Sequence, residues 1–241
     1  MSAIAGRATV IIPSYGDPGG LFRALDSLCH QKAPQGSAWI DARISEVGVQ
    51  VVHSGPWPMP PKQSWPRLPE HWRIQCVSPE RLSAARARNL AVQMTDAELL
   101  VFLDADCLAG PHFLAGHLEA HRQGSQLVSG AVLPGDGETP VGEAEYLVEF
   151  ATTRLRRPGG AMSAPGCNLS MRRSLFESVG GFPELEAGED VLINLRLRQK
   201  GHRIALHPHA VVFHCGRQSH SQYCQHRLFI GAGLGQLTAH A

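Results

Sequence analysis

Glu98-Leu99-Leu100-Val101-Phe102-Leu103-Asp104-Ala105-Asp106 decides how the rest of the chain is read. Leu99 to Leu103 is an unbroken aliphatic and aromatic run, which reads as a strand buried on both faces in the middle of a parallel sheet. Two carboxylates stand one residue apart at its C-terminal end, and open α/β sheets bind ligands beyond the carboxyl ends of their strands. Working outward, short apolar or β-branched runs alternate with helical patterns, the signature of β-α-β units and a mostly parallel sheet flanked by helices.

Upstream, Ala8 to Ile12 reads as a strand stopped by Pro13; a turn-rich Ser14-Tyr15-Gly16-Asp17-Pro18 follows, and then Leu21, Leu25 and Leu28 mark a helix face. Strands are expected at about Glu46 to Val52 and Trp72 to Val77. The six prolines between Gly55 and Pro69 leave too few N–H donors for a helix or central strand, so this is an irregular loop; its Trp57 and Trp65 are available to stack on a sugar or lipid or to pack beneath the loop. Ala87, Leu90, Ala91 and Met94 fall at helical spacing, with Arg81, Arg86, Arg88 and Asn89 at the start and other faces of that helix.

Downstream, Pro111 to about Arg122 reads as a helix with proline in its first turn, Leu127 to Leu133 as a strand and about Gly142 to Arg154 as a helix. Arg156 to Pro165, with Pro158-Gly159-Gly160, reads as a mobile loop. Cys167 to Met171 is a strand, Ser174 to Val179 a helix stopped by Gly180-Gly181, and Glu189 to Lys200 another helix. Arg203 to Leu206 and Ala210 to Phe213 read as two strands, and Gln222 onward as a glycine-diluted helix.

The 241 residues carry 22 Lys+Arg against 21 Asp+Glu, a net charge of +1, with 43% hydrophobic and 18% charged residues. Such a chain builds one α/β domain and excludes a polybasic nucleic-acid arm, an acidic tail and a low-complexity segment; no nucleic-acid partner is expected. No run approaches the roughly 18 apolar residues of a membrane span, although peripheral membrane contact stays open. The N-terminal residues lack the pattern of a signal peptide, so a cytoplasmic location is expected. Six scattered cysteines without C-x-x-C spacing read as reduced and structural.

Asp104 and Asp106 repel each other unless a cation or hydrogen bonds offset the cost, and hard oxygen ligands suit magnesium or manganese, which commonly complete their shells with substrate phosphates. The alternative is an Asp that caps the helix near Pro111. Gly188-Glu189-Asp190 sets a second acidic pair at a helix N-terminus, where capping and general-base chemistry are both open. The histidines and cysteines between His207 and His226 do not match closed zinc-site spacing; His214, at a strand end, is open both to completing an Asp-based site and to being a satisfied core histidine. His117 and His121 in H-L-E-A-H read as a solvated helix face, because the glutamate is misplaced for a metalloprotease.

Taken together, the chain from about Ala8 to His214 resembles the family 2 glycosyltransferases. The resemblance rests on Val10-Ile11-Ile12-Pro13-Ser14-Tyr15, Ala87-Arg88-Asn89-Leu90-Ala91, Leu103-Asp104-Ala105-Asp106, Gly166 to Arg173 with Val179-Gly180-Gly181-Phe182, and Gly188-Glu189-Asp190 through Leu195 and Gly201 to His214. It implies a single domain of GT-A fold with a Rossmann-like N-terminal half. About 8–107 would bind the nucleotide-sugar, about 108–218 would carry the acceptor and catalytic half, and 219–241 would form a helical tail. It implies an inverting transfer from a nucleoside-diphosphate sugar, UDP-linked as the first expectation, to an acceptor hydroxyl on a lipid, saccharide or small molecule. Asp106, His214 and Asp104 would hold Mn2+ or Mg2+; Pro13, Ser14, Tyr15, Asp17, Arg88, Asp104 and Asp106 would contact the donor. Asp190 would be the general base, with Glu189 tested beside it. Where the family usually has an acidic element after the second strand, this chain has His53-Ser54-Gly55, so the donor base stays open; Asp17 is a candidate for that contact. There is no Q-x-x-R-W element. Competing readings are a non-catalytic nucleotide-sugar binder and an aspartyl-phosphate phosphohydrolase, whose D-x-D normally continues to Thr or Val where this chain has Leu108.

Overall fold

The computed structural model describes residues 6–16, 18–33, 44–56, 58–135, 139–151 and 163–237. Asp17, Trp57 and most of the Arg156–Pro165 stretch lie outside them. Eight strands form one sheet: β1 (Gly6–Tyr15), β2 (Ile44–Ser54), β3 (Trp72–Val77), β4 (Leu99–Leu103), β5 (Cys107–Ala109), β6 (Leu127–Pro134), β7 (Asn168–Arg172) and β8 (Ala205–His214). Their order is β3-β2-β1-β4-β7-β6-β8-β5. The β1–β2, β2–β3, β1–β4 and β6–β8 pairings are parallel, while β7 is antiparallel to both β4 and β6, and β5 to β8.

Side-chain alternation along β4 splits the core into two layers. Leu99, Val101 and Leu103 join one apolar cluster with Leu21, Leu25 and Leu28 of α1 (Pro18–Cys29) and with Phe113, Leu114 and Leu118 of α3 (Phe113–Arg122). Leu100 and Phe102 join the other, with Ala87 and Ala91 of α2 (Ala84–Gln93), Leu175 and Phe176 of α5 (Arg173–Ser178), and Ile193 and Leu197 of α6 (Glu189–Gln199). Helices therefore cover both faces of β4, which is why it carries no polar residue. Two further helices, α4 (Pro140–Glu149) and α7 (His220–Leu237), stand at the rim of the site described below.

Several sequence expectations are corrected. Pro13 does not stop β1: its pairing with β4 ends at Ile11, so Pro13 sits where that side of the strand is an edge and its missing N–H breaks no β1–β4 bond. Pro111 precedes α3 instead of occupying its first turn, because the helix begins at Phe113. The two short strands expected after Arg203 are one, β8, whose register on β6 jumps from His207 to Val211 between Gly130 and Ala131. Pro208 falls inside that irregularity, and its turn-like sequence disguised a continuous strand. The helix expected from Gly142 to Arg154 is α4, which ends at Glu149. Trp65 packs beneath its loop, edge-on to Phe22 at 6.0 Å, with its indole N–H donating to Pro60 O at 2.9 Å.

His117 and His121 are not solvated: they are 0% and 1% exposed. His117 Nε2 meets Asn168 Oδ1 at 2.9 Å, and His117 Nδ1 and His121 Nε2 both lie 2.8 Å from Ser170 Oγ. Asn168 in turn donates to Ala131 O and Ala210 O, bridging β6 and β8 at the register jump. The buried imidazoles thus tie α3 to β7, and through it to the irregular part of β8.

Candidate active site

Asp104 and Asp106 flank a tight turn between β4 and β5, and β5 pairs with β8 so that Cys107 lies opposite His214. This register brings Asp106 Oδ2 to 3.6 Å from His214 Nε2, while Cys215 N donates to Asp106 O. The Phe150 ring packs on the imidazole, centroids 4.7 Å apart. Burial opposes charge on both partners, but the pairing prevails: His214 is held above, and Asp106 below, its usual range. A carboxylate and an imidazole 3.6 Å apart suit two ligands of one divalent ion, for which bonds of about 2.1 Å place neighbouring donors roughly 3.0–3.6 Å apart.

Arg88 projects from α2, whose first turn is capped by Ser83 accepting from Arg86 N. Its guanidinium donates to Asp104 Oδ1 at 2.6 Å and to Glu189 Oε1 at 2.5 Å, and lies 5.2 Å from the Phe182 ring centroid. Burial alone would lower its pKa, yet two flanking carboxylates hold it well above the usual range. One positive charge between two negative ones is committed to positioning them. The Glu189 carboxylate is engaged by Arg88. The next residue, Asn89, donates from Nδ2 to Phe182 O at 2.8 Å and accepts from Phe182 N at 3.0 Å, so the A-R-N segment clamps the Gly-Gly-Phe turn while its arginine holds the site acids.

Asp190 stands in the first turn of α6, which starts from Gly188 at φ +81°, a conformation that favours glycine. One carboxylate oxygen accepts from Gly166 N at 3.2 Å and the other from Val191 N at 2.8 Å. Burial pushes its pKa up, against the pull of these N–H groups and of Arg88. Asp104 is raised as well, again chiefly by burial and against Arg88. Gly166 leaves room for the arginine, since a Cβ there would lie 2.9 Å from Arg88 Nη2.

Arg88, Asp104, Asp106, Glu189, Asp190 and His214 all line one cavity of about 690 Å³. The sequence reading thus places Asp104, Asp106, Arg88, Glu189, Asp190 and His214 together. Pro13, Ser14 and Tyr15 end β1 and are not among the cavity's lining residues. There, Ser14 Oγ lies 3.0 Å from His53 Nδ1, and exposed Tyr15 carries the Arg81 guanidinium 5.5 Å from its ring centroid.

The sequence reading missed the rim. Buried Glu145 accepts from Arg217 N at 2.7 Å and pairs with the Arg217 guanidinium; Glu149 pairs with Arg227 at 2.9 Å and lies 3.5 Å from His226. Burial would raise Glu149, but His226 and Arg227 lower it. Glu145, Glu149 and His226 bring their ligand atoms within 4.8 Å of one another, yet both carboxylates are already paired with arginine. The i, i+4 spacing of Glu145 and Glu149, and Arg217 three residues beyond His214, were the available signals.

Residues 68–180 match the model of Glycosyl transferase family 2. The chain is 28% identical over 230 residues to validoxylamine A glucosyltransferase of Streptomyces hygroscopicus subsp. limoneus, covering 80% of this chain and 48% of that one. It is 26% identical over 238 residues to the pre-mycofactocin glycosyltransferase of Mycobacterium tuberculosis, covering 95% and 47%. The chain thus spans about half the length of these curated relatives. Its fold is similar to that of a Pyrobaculum calidifontis mannosyltransferase solved with GDP-Man and Mn2+, with a TM-score of 0.64 and 20% identity over 94% of this chain and 61% of that one. Among the described residues no helix is long and apolar enough to cross a membrane. The family match, the two glycosyltransferase relatives and a fold of GT-A type together support a family 2 glycosyltransferase.

Proposed function

We propose that the protein transfers a sugar from a nucleoside-diphosphate sugar to an acceptor hydroxyl by direct displacement, with inversion at the anomeric carbon. The observation that carries this reading is Asp190, a carboxylate fixed by two backbone N–H groups, raised by burial, and lining the same cavity as Asp106 and His214. A raised carboxylate has more affinity for the acceptor proton than a solvated one, which is what a general base needs. The acceptor oxygen bonds the anomeric carbon, the bond from that carbon to the diphosphate oxygen breaks with its electron pair on the leaving nucleoside diphosphate, and the acceptor proton passes to Asp190.

Asp106 and His214, with Asp104 beside them, would hold Mn2+ or Mg2+, and such an ion supplies positive charge against the departing diphosphate. Arg88 positions Asp104 and Glu189 for this arrangement. Arg217, within reach of Asp106 electrostatically, adds positive charge on the same side. An aspartyl-phosphate role for Asp104 fits less well, because its carboxylate is engaged by a buried arginine. The Ser14–His53 pair and Tyr15, at the ends of β1 and β2, are assigned to the nucleoside, and a UDP-linked donor is the first one to test, with GDP, CDP and dTDP beside it.

Asp190→Asn tests the reading. It keeps the side chain's shape and one of the two N–H contacts but cannot take the proton, so turnover should fall by about 10²- to 10⁴-fold while nucleotide affinity is retained. Near-normal turnover would remove Asp190 as the base.

A further inference from the structure

Apolar side chains stand among the charged groups of the cavity: Val148, Phe150, Val191, Phe229 and Ile230 line it together with the acids, His214, Arg88 and the Glu149–His226–Arg227 cluster. Among the described residues eight large hydrophobic side chains are exposed, and three of them, Val148 (61%), Val191 (48%) and Phe229 (44%), belong to this lining. Three more stand beside these on the same helices: Leu147 next to Val148 on α4, Leu195 one turn beyond Val191 on α6, and Leu228 next to Phe229 on α7. Scattered exposed hydrophobics are ordinary; three contributed by three different helices to one cavity mark a binding surface.

The polar groups of a nucleoside-diphosphate sugar call for the charged and polar groups of this cavity and give its apolar side chains nothing to pack against. One of them, Val191, adjoins the base directly, since it follows Asp190 and donates its N–H to that carboxylate. We infer that the acceptor is an alcohol carried on an apolar body: an alkyl or aryl group packs against Val148, Val191, Phe229 and Ile230 while its hydroxyl reaches Asp190. This rests on the transferase reading above and names its acceptor class.

The test compares n-octyl β-D-glucopyranoside, below its micellar concentration, with methyl β-D-glucopyranoside on the full chain by titration calorimetry. The two probes share every hydroxyl and differ only in apolar length. The octyl glycoside should bind at least about tenfold more tightly, since each buried methylene adds favourable transfer free energy. Val148→Asp and Phe229→Ser, at exposed positions that folding tolerates, should each erase most of that preference while manganese-dependent stabilisation by nucleoside diphosphates persists. Equal affinity for the two probes, or a preference that both substitutions leave intact, overturns the inference. So does a wild-type dimer in light scattering that either substitution dissociates, because the apolar side chains would then belong to a second copy. Octyl binding without any metal-dependent nucleotide stabilisation would instead overturn the transferase reading, and with it the assignment of these apolar side chains to an acceptor.

Discussion

Two polar networks of the molecule differ in charge. In one, Arg88, Asp104, Glu189, Asp106 and His214 form ion pairs along the cavity. In the other, on β7, His117, His121, Ser170 and Asn168 form a cluster in which burial keeps both imidazoles neutral, lowered to about 3 and about 4. His214 is buried too, yet is raised, because a carboxylate faces it, where His117 and His121 hydrogen-bond to hydroxyl, amide and carbonyl groups and have no carboxylate partner to offset burial. The protonation state of a buried histidine is thus set by whether its partner carries a charge, more than by its depth.

The comparison breaks most severely at Arg88. Arg88→Met leaves Asp104 and Glu189 facing each other without their shared cation, and should cost about 3–5 kcal/mol in urea unfolding, with the loss reduced when carboxylates are protonated at low pH. A cost below about 1 kcal/mol would show that the charged network contributes little to the fold. Next comes Asp106→Ala. In wild type, nucleoside diphosphate with manganese at about 100 times its Kd should stabilise by about 2.7 kcal/mol, and this variant should lose the metal-dependent part. Unchanged manganese-dependent stabilisation would count against Asp106 as a ligand.

The neutral network predicts acid sensitivity. Both folded-state pKa values lie below the unfolded value near 6.5, so the unfolded chain takes up protons first. This contribution is full above pH 6.5 and is lost as the pH falls toward 4 and then 3, by about 1.4 kcal/mol per pH unit for each histidine that stays neutral. Ser125 O and Asn168 Oδ1 each require an imidazole N–H, which leaves the single Ser170 hydrogen between two ring nitrogens. One added proton would fill that gap, so a slope of one histidine and not two, read from urea titrations between pH 6.5 and 5, would show that the pair shares a proton. A flat profile would break the contrast with His214. The smallest effect sharpens it from outside: Arg86, two residues before Arg88, pairs with Glu184 at 2.9 Å, but both side chains are more than half exposed. Glu184→Gln should change stability by less than about 1 kcal/mol, and a larger loss would mean that burial is not what separates the two arginines.

Much of this architecture was legible in the residues. The run from Leu99 to Leu103 has no polar interruption because helices cover both its faces, and Asp104 and Asp106 follow it where the strand ends. Asp190 and the glycine before its helix were legible for the same local reason. Elements were misread where local signals mislead: Pro13 sits in a strand whose neighbour has ended, and Pro208 sits in a register jump. His117 and His121, spaced like a polar helix face, are buried because Ser170 and Asn168, about 50 residues later, supply their partners.

By itself, then, the sequence determined the alternation of strands and helices, the strand end that carries the acids and the helix start that carries Asp190, since these follow from periodicity and backbone chemistry within a few residues. Only the tertiary structure decided that Arg88 is spent between two acids, that His117 and His121 are buried against Asn168 and Ser170, and that α4, α6 and α7 bring apolar side chains to one cavity. Charge state and solvation depend on which distant groups share a buried space, and the register of β5 on β8, the antiparallel insertion of β7 and the packing of α7 on α4 create those neighbours.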